Sequence, residues 1–261
     1  MTYEHLQVEK RGRVAWLYLN RPDKLNAMST HTMNELRDAL AAMRADKETR
    51  VIVFSGKGRA FCSGADLESK PDPDAPPSDE PTFLDAAQGM ENELNGMTKP
   101  VIAALNGLTC GGGLELTMMC DLVIAAEGVK IGDAHSNVGM LPGGGSSVRL
   151  PRIVGINRAR YIMYSGDFFS AAEMKEFGLV NKVVPAEALE EEVQALAEKL
   201  AAKSPLGLKR MKQLINDSYD QPTATALRAE KMVVKDHLHS FDAYEGGAAF
   251  AQKRKPEFKG Y

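Results

Sequence analysis

The chain has 261 residues, a formal net charge of −3, 44% hydrophobic and 26% charged residues. That length buries a substantial core, as one large domain or a domain with an appendage, and the mild acidity argues against nucleic acid or an anionic membrane as a partner. No apolar run reaches the ~18–20 residues of a membrane span, and Met1-Thr-Tyr-Glu-His5 lacks the basic and apolar stretches of a signal peptide, so the expected compartment is the cytoplasm.

Val14-Ala-Trp-Leu-Tyr-Leu19 reads as a strand that stops at the turn Asn20-Arg-Pro-Asp23. Ser29 is placed to cap a helix carrying Met33, Leu36, Leu40 and Met43 at helical spacing. Val51–Phe54, Val101–Leu105 and Leu122–Ala125 are short apolar strands. Strands alternate with helices to about residue 155, which predicts an α/β architecture with parallel strands. Residues 69–81 hold Pro71, Pro73, Pro76, Pro77 and Pro81, which excludes a regular helix or central strand there. The segment is a lid over a site or a tolerated insertion. Helical signals dominate from residue 157, with Leu189, Val193, Leu196 and Leu200 on one face. The expected division is a core over 1–195 and a helical region over 196–261, a subdomain or an oligomerisation arm.

Cys62, Cys110 and Cys120 have no C-x-x-C spacing and read as small buried thiols. The five histidines form no H-E-x-x-H, and His237 and His239 point to different helix faces, so no metal is expected. Gly56-x-Gly58 lacks the third glycine of a dinucleotide fingerprint, and neither a nucleotide P-loop nor a G-x-S-x-G elbow is present. Pro142-Gly-Gly-Gly-Ser-Ser147 is a glycine turn with serine caps, or a helix start able to receive an anion.

The most informative stretch is Cys110-Gly-Gly-Gly-Leu-Glu115, running into the apolar Leu116-Thr-Met-Met-Cys120. Glycine allows close backbone approach, and a helix start aims unpaired N–H groups and a positive dipole end outward. Glu115 lies about one helical turn on. A cradle for an oxyanion beside a carboxylate base is what enolate chemistry on a carbonyl compound needs. The alternative is a glycine loop packed under a core helix with a surface glutamate.

Five motifs then appear in order. They are Asn20-Arg-Pro-Asp-Lys-Leu-Asn-Ala27, Ala60-Phe-Cys-Ser-Gly-Ala-Asp-Leu67, Lys99-Pro-Val-Ile-Ala-Ala-Leu-Asn-Gly107, Gly111 through Asp121 followed by Pro142-Gly-Gly-Gly, and Phe250-Ala-Gln-Lys-Arg-Lys-Pro-Glu-Phe258. With them the chain resembles the crotonase superfamily, the enoyl-CoA hydratase/isomerase family, nearly end to end. The resemblance implies a spiral of ββα turns, a helical C-terminal region that packs trimers or hexamers, and a coenzyme A thioester substrate with no separate cofactor. It implies that the backbone N–H groups of Ala65 and Gly112 hold the thioester oxygen. Lys24, Arg59, Asp66 and Leu67 would lie along the coenzyme A groove, the two basic residues meeting phosphates and Leu67 offering mainly backbone contacts. Phe250 and Lys253 would reach toward coenzyme A, in some members from a neighbouring subunit.

A hydratase of this family uses two glutamates. Glu115 matches the one that directs water to the β-carbon. The position of the second, which exchanges a proton at the α-carbon, is His135, within Ile131-Gly-Asp-Ala-His-Ser-Asn-Val-Gly139. Imidazole, with an unperturbed pKa of ~6.5, can donate or accept near neutral pH. In an extended segment Asp133 would share a face with His135 and orient it. The leading reading is a hydratase-like or isomerase-like enzyme with Glu115 as base. The alternatives are a C–C bond hydrolase or decarboxylase using His135, and a non-catalytic acyl-CoA-binding or RNA-associated member.

Overall fold

A computed structural model of the chain describes residues 2–67 and 82–261. The proline-rich run and the possible lid assigned to it lie outside the described residues. The chain begins with β1 (Leu6–Arg11), β2 (Val14–Leu19) and α1 (Thr30–Ala45). There follow β3 (Val51–Gly56), β4 (Ala60–Cys62), α2 (Phe83–Asn95), β5 (Val101–Leu105), β6 (Leu108–Cys110) and α3 (Gly112–Met119). Next come β7 (Leu122–Ala126), β8 (Lys130–Gly132), α4 (Ser146–Val154), α5 (Ile156–Ser165), β9 (Phe169–Ser170), α6 (Ala171–Glu176) and β10 (Lys182–Val184). The chain closes with α7 (Leu189–Ala201), α8 (Pro205–Ser218), α9 (Thr223–His237) and α10 (Phe241–Ala251).

Two sheets organise these elements. The larger runs β1-β2-β3-β5-β7-β10, parallel throughout except for the antiparallel β1–β2 edge. The smaller runs β4-β6-β8-β9, with β9 antiparallel. In the successive units β3-β4-α2, β5-β6-α3 and β7-β8-α4, the first strand enters the large sheet and the second the small one. This is the ββα spiral that the resemblance implied. β3 and β5 are buried along their whole length, which explains their unbroken apolar sequence.

Ser29 does cap α1: its hydroxyl accepts the Thr32 N–H at 3.2 Å. Met33, Leu36, Leu40 and Met43 face the core, each fully buried leucine contributing about 1.5–3 kcal/mol of transfer free energy.

Two expectations need correction. Strands do not end near residue 155, because β10 extends the main sheet by pairing Lys182 with Ile124. Nor does the core end at 195: α7 crosses that position and packs on β2, β3, β5 and β7 through buried Leu189, Val193, Ala197 and Ala201. The packing places the break between α7 and α8. Beyond it the arm is different in kind, since neither α8 nor α9 buries a residue within the chain.

Candidate active site

Three sequence-distant loops are stitched together where β4 and β6 end. The Met28 N–H donates to Gly64 O at 2.8 Å and the Asp66 N–H to Met28 O at 2.9 Å, forming a parallel bridge between Met28 and Ala65. That bridge uses the groups on either side of Ala65 and not the Ala65 N–H. Asn26 locks the same turn, donating to Lys57 O and Ala60 O at 3.0 and 2.8 Å while accepting the Arg21 N–H at 2.8 Å. The Gly111 N–H donates to Asp133 O at 2.9 Å. Gly111 opens α3 with φ +53° and ψ −124°, a conformation open to glycine and strained for other residues.

Gly112 is the first residue of α3, so its N–H has no acceptor within the helix. A Cβ on Gly112 would stand 3.7 Å from Ala65 N, and one on Gly64 would stand 3.3 Å from Gly112 N. The two amides expected to hold an oxyanion are therefore neighbours.

Glu115 is not a surface glutamate; it is 5% exposed. Its Oε1 accepts the N–H groups of Gly144 at 2.8 Å and Ser146 at 3.1 Å. The glycine turn before α4 does receive an anion, and that anion is Glu115. Burial pushes the Glu115 carboxyl above its usual range, against the pull of the Ser146 amide, the His135 charge and the Gly144 amide.

His135 Nε2 lies 3.9 Å from Glu115 Oε2, and its Nδ1 lies 2.9 Å from Asp133 Oδ1. The segment is not extended, contrary to expectation. Ala134 takes a left-handed conformation at φ +59°, and a 3-10 turn over His135–Val138 follows. That reversal, rather than strand alternation, brings the two side chains together. The hydrogen bond to Asp133 raises the His135 pKa against the effect of burial. Burial alone would raise Asp133, but the hydrogen bond to the His135 ring, with the nearby Ser146 hydroxyl and the imidazolium charge, outweighs it and holds the carboxyl below its ordinary value.

Residues 9–261 match the enoyl-CoA hydratase/isomerase family model. The chain belongs to this family. It is 40% identical over 259 residues to a Rhizobium meliloti (strain 1021) protein named "Probable enoyl-CoA hydratase", with 99% of each chain covered. It is 36% identical to a Syntrophomonas wolfei crotonyl-CoA hydratase, again over 99% of each. A crystal structure of a Bacillus anthracis enoyl-CoA hydratase superimposes with a TM-score of 0.92 at 35% identity, covering 99% of this chain and 100% of that one.

The remaining residues expected of an enoyl-CoA hydratase/isomerase family member fall into two groups. Lys24 and Arg59 are exposed on neighbouring turns, where a Cβ on Gly58 would stand 2.9 Å from Pro22 Cβ. Asp66 binds Arg21 Nη1 through Oδ2 at 2.9 Å, and Leu67 beside it is exposed. Asp66 and Leu67 follow directly on the Met28–Ala65 bridge. Phe250 and Lys253 belong to the arm, Phe250 being 87% exposed on the last turn of α10. α3 packs chiefly on β4, β6 and α4, so these two residues lie outside the set that builds the site.

Glu91 of α2, which no sequence pattern marks, also stands near this site, its carboxyl raised by burial and by the charge of Glu115. Helical periodicity cannot report that neighbourhood. Cys110 is a buried thiol pushed up to about 11, with burial the larger cause and Asp133 the smaller. Away from the site, His5, His31 and Glu35 offer metal-ligand atoms within 4.8 Å of one another. The Glu35 carboxylate already accepts the Glu4 and His5 amides at 2.7 and 2.8 Å, which gives that cluster a structural use.

Proposed function

We propose that the protein adds water across the double bond of a 2-enoyl-CoA, as its Syntrophomonas wolfei relative is named for doing with crotonyl-CoA. The observation that carries this reading is Glu115 and His135 facing each other across 3.9 Å beside the Ala65–Gly112 amide pair. The Glu115 carboxylate takes a proton from water as its oxygen attacks the β-carbon. The double-bond electrons move toward the thioester, whose oxygen gains charge and is held by the Ala65 and Gly112 amides. Fixed dipoles favour that enolate over the ground state, and one such donor is worth about 3–4 kcal/mol. The His135 imidazolium then gives its Nε2 proton to the α-carbon. The proton left on Glu115 returns to His135 and resets the site.

Lys24 and Arg59 meet coenzyme A phosphates, and the backbone around Asp66 and Leu67 lines the same groove. Phe250 and Lys253 complete it from a neighbouring subunit. The unburied faces of α8 and α9 support a homotrimer or hexamer, to be measured by light scattering. Coenzyme A enters as part of the substrate and no further cofactor is required. The cytoplasm is the compartment proposed for this reaction. Among the described residues no helix is long and apolar enough to cross a membrane.

Loss of the conjugated thioester absorbance of crotonyl-CoA and longer 2-enoyl-CoAs tests the proposal. No turnover with any of them would remove it. The His135–Asp133 pair favours a second reading, because an imidazole bonded to a carboxylate at Nδ1 also activates water against carbonyl carbon. On that reading a β-keto or cyclic acyl-CoA yields cleavage products detectable by mass spectrometry.

A further inference from the structure

The loops that hold Glu115 and His135 meet at one residue. Ser146 opens α4 and is 0% exposed, with its N–H on Glu115 Oε1 at 3.1 Å. Its hydroxyl is buried without a hydrogen-bond partner and is near enough to Asp133 to help hold that carboxyl low. Asp133 is 1% exposed, and the only basic side chain paired with it among the described residues is His135. Asp133 Oδ2 and Ser146 Oγ are both buried, and neither makes a hydrogen bond to any described residue.

We infer that Asp133 and Ser146 are positioning residues, a buried frame that keeps the His135 proton on Nδ1 and presents Nε2 to the substrate beside Glu115. The inference rests on the reading of the site given above and deepens it. A buried carboxylate is costly to desolvate unless it is paired and hydrogen-bonded. Here its pairing partner is the imidazole. Holding the local turn is a poorer account of Asp133, because its bond to the His135 backbone N–H is 3.4 Å, against 2.9 Å to the ring. Ser146 joins the two reactive groups, with its amide on Glu115 and its hydroxyl toward the carboxylate behind His135. A shift at the start of α4 would move both together.

The charged and titratable groups acting on this frame are few. Glu115 of α3 adds to the imidazolium's stabilisation, and the Asp133 charge in turn helps keep Cys110 of β6 a neutral thiol. Glu91 of α2 and Arg149 of α4 act further out, around Glu115.

The test is 15N NMR of histidine-labelled full-length protein without substrate, with His135 assigned by His135→Gln and compared in Asp133→Asn and Ser146→Ala. Wild type is expected to show a proton on Nδ1 at every pH and a titration above the ordinary ~6.5. Asp133→Asn should bring that titration down to or below ~6.5 and mix the tautomers. With an enoyl-CoA it should lower kcat by ~10²–10⁴-fold, leave KM within about twofold, and move the alkaline limb of the pH profile to lower pH. Ser146→Ala should change each quantity in the same direction by less, and it supplies the answer if Asp133→Asn fails to fold. A His135 tautomer and titration unmoved in both variants overturn the inference. Wild-type protein that turns over no enoyl-CoA overturns the parent reading instead, while the NMR comparison still decides the frame.

Discussion

His135 Nε2 and Glu115 Oε2 stand 3.9 Å apart, the imidazole backed by Asp133 and the carboxylate by the Gly144 and Ser146 amides. The separation exceeds a direct hydrogen bond of ~2.7–3.2 Å, so the two are not bonded to each other and both can address a group placed alongside them. The sign of the pH dependence follows from their roles. In the proposed hydration Glu115 works as a carboxylate, and burial raises its pKa, so activity is expected to climb as pH rises through that raised value. In the same proposal His135 works as an imidazolium, and Asp133 raises its pKa, so activity is expected to fall as pH rises through a value above ~6.5. The kcat/KM profile for an enoyl-CoA is expected to be bell-shaped, and His135→Gln is expected to remove the alkaline limb. An alkaline limb retained in that variant assigns it to another group.

Glu115→Gln should lower turnover by ~10²–10⁴-fold while coenzyme A binding persists. Its effect on stability has a definite direction. A carboxyl whose folded pKa is raised contributes stability that is complete below its unfolded value of ~4.3 and is lost as pH rises through the folded value. Above that value the charged, buried Glu115 weighs against folding. Glu115→Gln should therefore unfold at an equal or higher urea concentration at pH 8, with the difference vanishing near pH 4. A lower midpoint at pH 8 would show that the amide contacts to Oε1 outweigh desolvation.

Gly144→Ala separates placement of the base from its chemistry. A Cβ there would stand 2.9 Å from Glu115 Oε2 and 3.0 Å from its Cδ. The carboxylate must turn away, and a displacement of about 1 Å can cost ~10²-fold in rate. The expected result is a folded protein with kcat down by that order and KM nearly unchanged. Wild-type kcat would mean that the Glu115 position is not demanding.

Gly113→Ala attacks the seat of α3. Its Cβ would stand 2.3 Å from Cys62 O and 2.8 Å from Cys62 Cβ, contacts with β4 that cannot yield without moving the helix. Overpacking of this kind costs about 1–3 kcal/mol, and the shift also carries Gly112 away from Ala65. Urea unfolding should show the lower midpoint, with loss of activity beyond what the unfolded fraction explains. An unchanged midpoint would contradict the packing of α3 on β4.

Local patterns were legible wherever they act over a few residues. The Ser29 cap, the buried stripe of α1, the apolar strands β2, β3, β5 and β7 and the helix start at Gly112 all follow from spacing and backbone chemistry. β10 was not legible, because a three-residue strand has no period of its own and is defined by its partner Ile124, far away in the chain. Glu91 escaped for a related reason, since only the folded chain puts α2 near Glu115.

By itself, then, the amino-acid order determined the local elements, the glycine cradle and Glu115 beside it, because capping, periodicity and backbone freedom are short-range properties, while His135 was marked only by the family resemblance. The tertiary structure decided what those residues can do. It buried Glu115 under the amides of a turn about thirty residues away, and it used one left-handed residue, Ala134, to set His135 against Asp133. Protonation and orientation depend on neighbours brought together through space, and that is information a linear pattern does not carry.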